Sequence, residues 1–420
     1  MIAAGSGLAV GGSPEDAALE AALQALARSE GDHADLALVF TTSDAYPRGH
    51  ELLHAIRRVT GARAVVGCSG VGVLTDRKEV EPQAEPSPAG TAVAVLAVRG
   101  EEVAAAPFLL ADQEGRGPEA ALQVAERVGP TVAEGGCLLI LPDPVGLHPR
   151  HLLDGLAEAL GFLPILGGVA AGTPFFEVFN TDLARGGLVG VGLSGVEPLI
   201  GVAQGCQPIG LPYVITRAEG NVVYEIGSRR ALDVLKEAIL SLDDPETRIR
   251  RAGIFVGLAM DPAKSPFERG DFLVRNLAGV DQESGAIAVA EPVRVGQTLQ
   301  FQIRDAQSAR EDLEATLRTL EGLLAGRKPA FGCYFNCAGR GQGLFGVPDH
   351  DVSLITKHLG EFPLAGFFGN GEFAPIGRRN FFHNYTGALV VFPERPPHPE
   401  RPPHPPLSPT GGEDKGEGAR

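Results

Sequence analysis

The chain has 420 residues, enough for roughly two to three domains with a large buried core. Asp and Glu number 52 against 36 Lys and Arg, and the resulting net charge of −16 disfavours binding to nucleic acid or to anionic lipid. The five cysteines favour reduced thiols over a disulfide framework. We find no signal-peptide pattern and no apolar run long enough for a membrane span, and therefore predict a cytoplasmic protein.

The first predicted element is a helix. Ser13 is its expected N-cap, Pro14 occupies its first position, and Leu19, Leu23 and Leu26 recur at helical spacing. We assign residues 1–34 to an N-terminal helical lead-in.

An internal repeat then occupies most of the chain. Each copy has an apolar strand, a polar loop, an amphipathic helix, a second strand and a glycine-rich turn before a closing strand. The three copies begin with the strands Leu36–Phe40, Leu138–Leu141 and Phe331–Phe335. Their helices end at Gly61, Gly161 and Gly360, and further glycines follow in register at Gly67, Gly167 and Gly366 and at Gly72, Gly172 and Gly371.

This pattern predicts an α/β fold in which internally repeated strand-helix-strand-strand units form helix-covered sheets in two domains. Residues 35–217 form the first predicted domain and residues 218–392 the second. A meander of short strands is expected between the second and third copies. Residues 393–420 are rich in proline and repeat ERPPHP twice, so we predict a disordered tail.

The third glycine turn carries the most polar groups and is the main candidate ligand site. Arg340 is suited to a carboxylate and Glu372 to an ammonium group, so together they suit an amino acid. Successive amides of the NCAGRGQG segment suggest an anion-binding nest. The candidates from this region are Cys337, Gly339, Arg340, Gly341, Asn370, Gly371 and Glu372.

Several alternatives remain open for these residues. Arg340 is also compatible with a surface position or with an ion pair to Glu372. Asp349 and Asp351 stand at a helix start, where capping is favoured over metal binding. The spacing of Gly341, Gly343 and Gly346 matches a dinucleotide fingerprint, but Pro348 and the PDHD segment follow before the helix. We therefore predict no metal and no cofactor.

Three further candidates lie elsewhere in the sequence. Arg275 follows an apolar strand in FLVRN, where its guanidinium can reach an anionic ligand. Cys68 and Ser69 occupy the first glycine turn, GCSGVG, where glycines also serve close packing. A thiolate at Cys68 or Cys337 is the basis of an alternative, enzymatic hypothesis, although no histidine lies close in sequence to act as a base.

The chain resembles a stand-alone bacterial FIST protein, with a FIST N domain followed by a FIST C domain. The segments that carry the resemblance include DLALVFTTSDAY, VVGCSGVGV and ILGGVAAG in the first domain, and DFLVRNLAGVD, FNCAGRGQGLFGVPDHD and GFFGNGEFAPIGRRNFFHNYTGALVVF in the second. The sequence departs from the family pattern at Asn336, where a serine is expected, and at Phe373-Ala374, where Ile-Gly is expected.

The resemblance implies a sensory module of signal transduction that binds a small ligand, an amino acid or a similar metabolite. A small-molecule ligand and a signalling protein partner are expected, and no nucleic acid or membrane partner. The alternatives are an adaptor that acts through protein contacts, with the ERPPHP tail as one docking surface, and the cysteine-dependent enzyme.

Overall fold

Three copies of one βαβαββββ unit form the body of the protein. The computed structural model describes residues 2–81, 90–111 and 117–394, and the predicted tail beyond residue 394 lies outside this part of the chain. The first unit consists of β1 (Ala3–Gly11), α1 (Pro14–Arg28), β2 (Leu36–Thr42), α2 (Gly49–Thr60), β3 (Ala64–Gly70), β4 (Gly72–Thr75), β5 (Glu79–Val80) and β6 (Thr91–Arg99).

The second unit repeats this order without an insertion. It consists of β7 (Ala104–Leu110), α3 (Gly117–Val132), β8 (Cys137–Pro142), α4 (Pro149–Leu160), β9 (Ile165–Gly168), β10 (Glu177–Phe179), β11 (Asp182–Ala184) and β12 (Leu188–Ser194).

The third unit carries an inserted sheet after its first strand. The unit starts with β13 (Leu199–Gln204) and continues, after the insertion, with α7 (Ala306–Leu324), β21 (Pro329–Cys337), α8 (Gln342–Phe345), α9 (His350–Leu359), β22 (Leu364–Gly369), β23 (Glu372–Ile376), β24 (Arg379–His383) and β25 (Thr386–Pro393). The insertion contains β14 (Cys206–Glu219), β15 (Val222–Ile226), β16 (Arg229–Arg230), α5 (Ala231–Leu240), α6 (Pro245–Ala252), β17 (Ile254–Ala259), β18 (Phe272–Val280), β19 (Ile287–Val289) and β20 (Thr298–Arg304).

The units exchange hairpins in a cycle. The three sheets have the strand orders β1-β6-β2-β3-β10-β11, β7-β12-β8-β9-β23-β24 and β13-β25-β21-β22-β4-β5. The β4–β5 hairpin of the first unit thus completes the sheet of the third, β10–β11 of the second completes that of the first, and β23–β24 of the third completes that of the second. Each sheet is consequently built from two units, and the three units hold one another in place.

The apolar residues explain this arrangement. The inner faces of the three sheets meet in one core, with Phe40, Leu139, Phe335 and Phe367 among its members. The outer face of each sheet is covered by two helices of its own unit, α1 with α2, α3 with α4, and α7 with α9. The inserted sheet buries a separate core against α5. Burial of apolar area on both faces is the main stabilising contribution to such layers.

The repeated glycines serve close contact between neighbouring strands. A Cβ atom at Gly67, Gly167 or Gly366 would lie 1.7, 1.9 or 1.8 Å from a backbone carbonyl oxygen of the adjacent strand. Any larger residue would force these parallel strands apart. The glycine register is therefore explained by packing and does not require a ligand at each turn.

The predicted α/β fold with repeated, helix-covered sheets is confirmed. The region predicted as a helical lead-in contains α1, but it also contains β1, which pairs along its whole length with β6. The predicted domain boundary at residues 217 and 218 falls within β14. Within the described residues, none of the helices combines the length and apolar character needed to cross a membrane.

Candidate functional site

The residues predicted to bind a ligand fall into three regions of the structure. Those of the third unit lie together, whereas Arg275 lies in the inserted sheet and the cysteine–serine pair lies in the first unit. By element, they are Cys337, Gly339, Arg340 and Gly341 at and after the end of β21; Asn370, Gly371 and Glu372 around the turn into β23; Arg275 on β18; and Cys68 and Ser69 on β3.

Arg340 is a buried arginine whose charge is paired by α9. It is 2% exposed, its Nε donates to Asp351 Oδ2 at 3.1 Å, and its Nη2 donates to Oδ1 at 3.3 Å. Arg340 is therefore neither a surface arginine nor the ion-pair partner of Glu372. Removing one partner of such a pair leaves the other charge uncompensated inside the protein.

Asp351 is the centre of a hydrogen-bonded network. In addition to the bonds from Arg340, its carboxylate accepts from the Tyr334 hydroxyl at 2.8 Å and from Asn336 Nδ2 at 3.1 Å. His350 Nδ1 lies 2.8 Å from Asp351 Oδ1. Burial alone would raise the pKa of Asp351, but the Arg340 guanidinium and the hydrogen bonds outweigh it and hold this pKa below its ordinary value. The carboxylate is charged at neutral pH.

The role of Asp351 was missed because its position at a helix start suggested capping. The N-cap of α9 is Asp349, which has a positive φ of 54° and no side-chain cap hydrogen bond. The available signal was the alternation in β21, where polar Tyr334 and Asn336, which both donate to Asp351 of α9, alternate with Cys333 and Phe335 of the shared core. Polar groups on a helix-covered face need a buried partner.

The β4–β5 hairpin of the first unit closes this region from outside. Glu79 accepts from the backbone of Val352 at 3.0 Å, and its own N–H donates to Asp349 at 2.7 Å. Glu81 accepts from the N–H of Gln342 at 3.0 Å, and a Cβ on Gly341 would touch its carboxylate. One amide of the NCAGRGQG segment, that of Gln342, thus donates to an internal carboxylate, that of Glu81.

Unpartnered polar atoms concentrate around Arg340 and Asp351. Seven buried side-chain nitrogen or oxygen atoms lack a hydrogen-bond partner in the described part of the chain, and the two outside this region both belong to Glu177. The other five are Glu79 Oε2, Arg304 Nε, Asn336 Oδ1, Arg340 Nη1 and Glu372 Oε1. We use "the buried polar cluster" for Arg304, Asn336, Cys337, Arg340, Asp351 and Glu372. Buried polar groups in native proteins are nearly always satisfied, so this concentration needs an explanation.

Glu372 is a fully buried carboxyl group in the cluster. Its Oε2 accepts from the Thr386 hydroxyl at 2.6 Å, whereas Oε1 forms no hydrogen bond of good geometry, although the Cys337 thiol lies beside the carboxyl group. Burial raises the pKa of Glu372 to about 8, and the hydrogen bonds from Thr386 and the nearby positive charge of Arg340 only partly oppose this rise. The carboxyl is therefore largely protonated near neutral pH when no ligand lies beside it.

The cysteines of the candidate set do not have the properties of activated nucleophiles. Burial raises the pKa of the Cys337 thiol to about 12 and that of Cys68 well above its ordinary value. The thiolate is the reactive form, and it is scarce at neutral pH in both places. This electrostatic environment disfavours the hypothesis of a cysteine-dependent enzyme.

Tyr385 covers the cluster on the side of the inserted sheet. Its ring packs on Gly339 and Cys206 and lies 4.3 Å from the Phe255 ring, centroid to centroid. Its hydroxyl donates to Asn276 of β18 at 2.6 Å. Tyr385 is only half-buried, so this side chain separates the cluster from solvent.

A second group of arginines lines a cavity of about 210 Å³. We use "the arginine pocket" for the cavity surrounded by Arg150, Arg275, Arg294 and Arg379. It lies between α4 of the second unit, β24 of the third, and the inserted sheet. Leu153, Met260 and Phe381 contribute apolar surface to its wall.

Arg275 is held rigidly at the base of this pocket. It forms an ion pair with Glu291 and donates to Val274 O at 2.8 Å, Phe382 O at 3.0 Å and Asn384 Oδ1 at 3.3 Å. Only 6% of Arg275 is exposed. The sequence did not indicate that Arg275 and Arg340 belong to separate sites, nor that Arg294 and Arg379 lie beside Arg275.

The other predicted residues have structural contacts. Ser69 donates to Ala171 O at 2.9 Å and accepts from the N–H of Phe176 at 3.0 Å, which ties the first unit to the second. Cys68 faces the shared core of the three sheets. Asn370 is exposed at the mouth of a further cavity of about 390 Å³. A Cβ on Gly371 would lie 2.4 Å from the Phe382 ring.

Within residues 2–81, 90–111 and 117–394, no three His, Cys, Asp or Glu side chains are grouped in a way that could hold a metal ion.

Comparisons with known proteins identify two family domains in the chain. The FIST N domain matches residues 35–229 and the FIST C domain matches residues 231–375. The chain is 35% identical over 394 residues to uncharacterized protein Rv0628c of Mycobacterium tuberculosis, covering 92% of this chain and 99% of the relative. It is equally identical over 394 residues to uncharacterized protein Mb0898c of Mycobacterium bovis, covering 92% of this chain and 98% of that one.

Among solved structures, the chain is similar to a cyanuric acid hydrolase from A. caulinodans, with 11% identity, a TM-score of 0.36, and coverage of 93% of this chain and 99% of the other. This likeness is too weak to support an argument about fold or activity.

Proposed function

This chain belongs to the FIST family, whose domains are considered sensory domains for small ligands in signalling, and we propose that it binds an amino acid or a similar small metabolite in the buried polar cluster. In this proposal the protein is cytoplasmic, and ligand binding changes its contact with a signalling protein partner.

The observation that carries the proposal is a pair of unpartnered atoms of opposite polarity. Arg340 Nη1 is a buried donor and Glu372 Oε1 is a buried acceptor, and both belong to one cluster. Leaving such a group unsatisfied costs roughly 1–3 kcal/mol, and more when it is charged. A ligand with a carboxylate for Arg340 and an ammonium group for Glu372 satisfies both atoms.

One further feature supports a ligand of this kind. Arg304 Nε is a second unpartnered donor, and the positive charges of Arg304 and Arg340 both act on the adjacent Cys206. Gly205 runs close beside the unpartnered nitrogen, since a Cβ there would lie 3.5 Å from Arg340 Nη1 and 2.6 Å from Tyr385 O. A ligand carboxylate that accepts from both arginines would therefore require Tyr385 and its backbone to shift.

Tyr385 connects the proposed ligand site to the inserted sheet. Its hydroxyl joins β18 of the inserted sheet, while its ring covers the cluster. Entry of a ligand requires this ring to move. Such a movement would alter the contact between the inserted sheet and the third unit. The surface presented to a partner would then differ between the ligand-free and the ligand-bound protein.

The test begins with native mass spectrometry of the gently purified chain, followed by denaturation to identify any released molecule. Thermal unfolding is then followed with individual amino acids, because a ligand at 100 times its dissociation constant stabilises the protein by about 2.7 kcal/mol. We expect stabilisation by at least one amino acid. Absence of both a bound metabolite and any stabilisation would refute the proposal.

Glu372→Gln is the decisive variant, since it keeps the shape of the side chain and removes its capacity for negative charge. We expect the variant to fold and to lose amino-acid binding. Glu177→Gln is a matched control. Glu177 and Glu372 occupy equivalent positions, as the first residues of β10 and β23, and both are fully buried. Equal loss of binding in both variants would contradict a site at Glu372.

A further inference from the structure

The arginine pocket has a charge that contrasts with the rest of the protein. Its wall carries four arginines and two carboxylates, Asp154 and Glu291, in a chain whose formal net charge is −16. A local excess of positive charge in an acidic protein is not expected from composition. Such a concave, positive surface attracts and concentrates small anions.

Two of the arginines have no acidic partner in the described part of the chain. Glu291 pairs with Arg275, and Asp154 lies 3.7 Å from Arg150. The guanidinium of Arg379 lies over the Phe381 ring at 5.2 Å, and neither Arg379 nor Arg294 forms a salt bridge to a described residue. Both are exposed, so their donors are available to a ligand.

We propose that the arginine pocket is a second binding site, which takes a small molecule with two negatively charged groups, a dicarboxylate or a phosphate-bearing metabolite. The two positive charges in excess match a dianion. Arginine is suited to both kinds of anionic group because its planar N–H donors match two oxygen atoms at once.

The dimensions and the wall of the pocket define the ligand further. A volume of about 210 Å³ is below the roughly 300–1,000 Å³ of pockets for drug-sized ligands. The ligand is therefore of metabolite size. Leu153 and Met260 provide apolar contact for a short carbon chain between the two charged groups.

Arg275 acts in this site as a positioning residue. Its hydrogen bonds to Phe382 O and Asn384 bind the inserted sheet to β24 and the segment that follows it, and so keep Arg294 and Arg379 on opposite sides of the same cavity. None of the residues of the buried polar cluster lines the pocket. Ligand binding in the arginine pocket can consequently be present or absent whether or not the buried polar cluster binds a ligand.

The experiment uses the full chain and isothermal titration calorimetry at low ionic strength. The probes are succinate and glycerol 3-phosphate, with acetate as the monoanion and succinamide as the uncharged analogue. Binding of succinate would show that the pocket accepts a dicarboxylate, and binding of glycerol 3-phosphate would show that it accepts a phosphate group. We expect at least one dianion to bind and to bind more tightly than acetate, and succinamide not to bind. Absence of binding by both dianions overturns the proposal.

Charge variants locate the binding event. Arg294→Gln and Arg379→Gln are each expected to weaken the dianion roughly 10-fold to 100-fold through loss of charge-assisted hydrogen bonds. Arg378→Gln is the matched control, since Arg378 is an exposed neighbour on the same hairpin that stacks on Phe162 and does not line the pocket. An equal loss in Arg378→Gln would show attraction by overall charge and overturn the assigned site. Amino-acid binding in the buried polar cluster should be unchanged in all three variants.

Discussion

The buried polar cluster and the arginine pocket both depend on arginine, but they place it in opposite environments. Arg340 is 2% exposed and is paired with a carboxylate that accepts from several donors. Arg294 and Arg379 are exposed and form no salt bridge within the described residues. A guanidinium in the interior must have a partner from the protein itself, whereas one at the surface is hydrated and can keep its donors for a ligand.

Because of this difference, the same residues would serve stability and binding in the buried polar cluster, whereas different residues serve them in the arginine pocket. In the cluster, the residues that would contact a ligand also join elements of the fold: Arg340 binds Asp351 of α9, and Glu372 of β23 accepts from Thr386 of β25. In the arginine pocket, Arg275 forms the hydrogen bonds that join the inserted sheet to β24, and the exposed Arg294 and Arg379 are available for binding alone. Substitutions should therefore have large effects on stability in the first region and small effects in the second.

The largest effect is expected for Asp351→Ala. The substitution leaves the Arg340 charge unpaired in the interior and removes the acceptor of Tyr334 and Asn336, which should lower the free energy of unfolding by roughly 3–5 kcal/mol. Urea unfolding measures the loss. The double variant Asp351→Leu with Arg340→Met should be closer to the natural protein than Asp351→Ala. A loss below about 1 kcal/mol would show that the pair is not a structural element.

An intermediate effect on the free energy of unfolding is expected from a change in pH. Burial raises the pKa of Glu372 from 4.5 to about 8, so between these values the folded protein retains a proton that the unfolded chain releases. The free energy of unfolding should consequently fall as pH rises from about 5 to 8, by up to about 1.4 kcal/mol per pH unit for this group. Glu372→Gln should reduce the slope.

Glu177 contributes to the same slope. Burial raises its pKa to about 9, so it remains as a second source in the Glu372→Gln variant. Unfolding at several pH values should show the shallowest dependence when both residues are glutamine. A slope unchanged by Glu372→Gln would mean that this carboxyl is not buried in its neutral form.

The smallest effect on stability is expected for Arg379→Gln. Arg379 is exposed and forms no salt bridge with a described residue, so its replacement should change the free energy of unfolding by no more than about 0.5 kcal/mol. The same urea measurement as for Asp351→Ala applies, with Arg378→Gln as control. A loss of several kcal/mol would make Arg379 a structural residue and remove the contrast between the two regions.

Much of the fold was accessible from the sequence because its signals are local. The apolar spacing of Leu52, Ile56 and Val59 indicates a helix, and the glycines in register with Gly67 mark equivalent positions in the three units. β1 was missed because its sequence, AAGSGLAVG, is rich in glycine and alanine, which have low strand propensity. Pairing with β6 and packing against α1 make it a strand in the folded protein.

The candidate site was only partly accessible. The clustering of Arg340, Cys337 and Glu372 was predicted from their proximity to glycine turns at the ends of strands. The anion held by the Gly341 turn was not predictable, because Glu81 lies about 260 positions earlier and reaches the turn through the exchanged β4–β5 hairpin. No local pattern reports which unit receives a hairpin.

The sequence by itself determined the repeated α/β units, the positions of many of their strands and helices, and the family. Those properties follow from periodicity, glycine positions and motifs that are read within a few residues of each other. Only the tertiary structure decided that Asp351 pairs with Arg340, that Arg275 belongs to a different pocket, and that Arg294 and Arg379 share it. Charge pairing depends on which segments share a low-dielectric interior or a cavity, and only the packing of the folded chain establishes that.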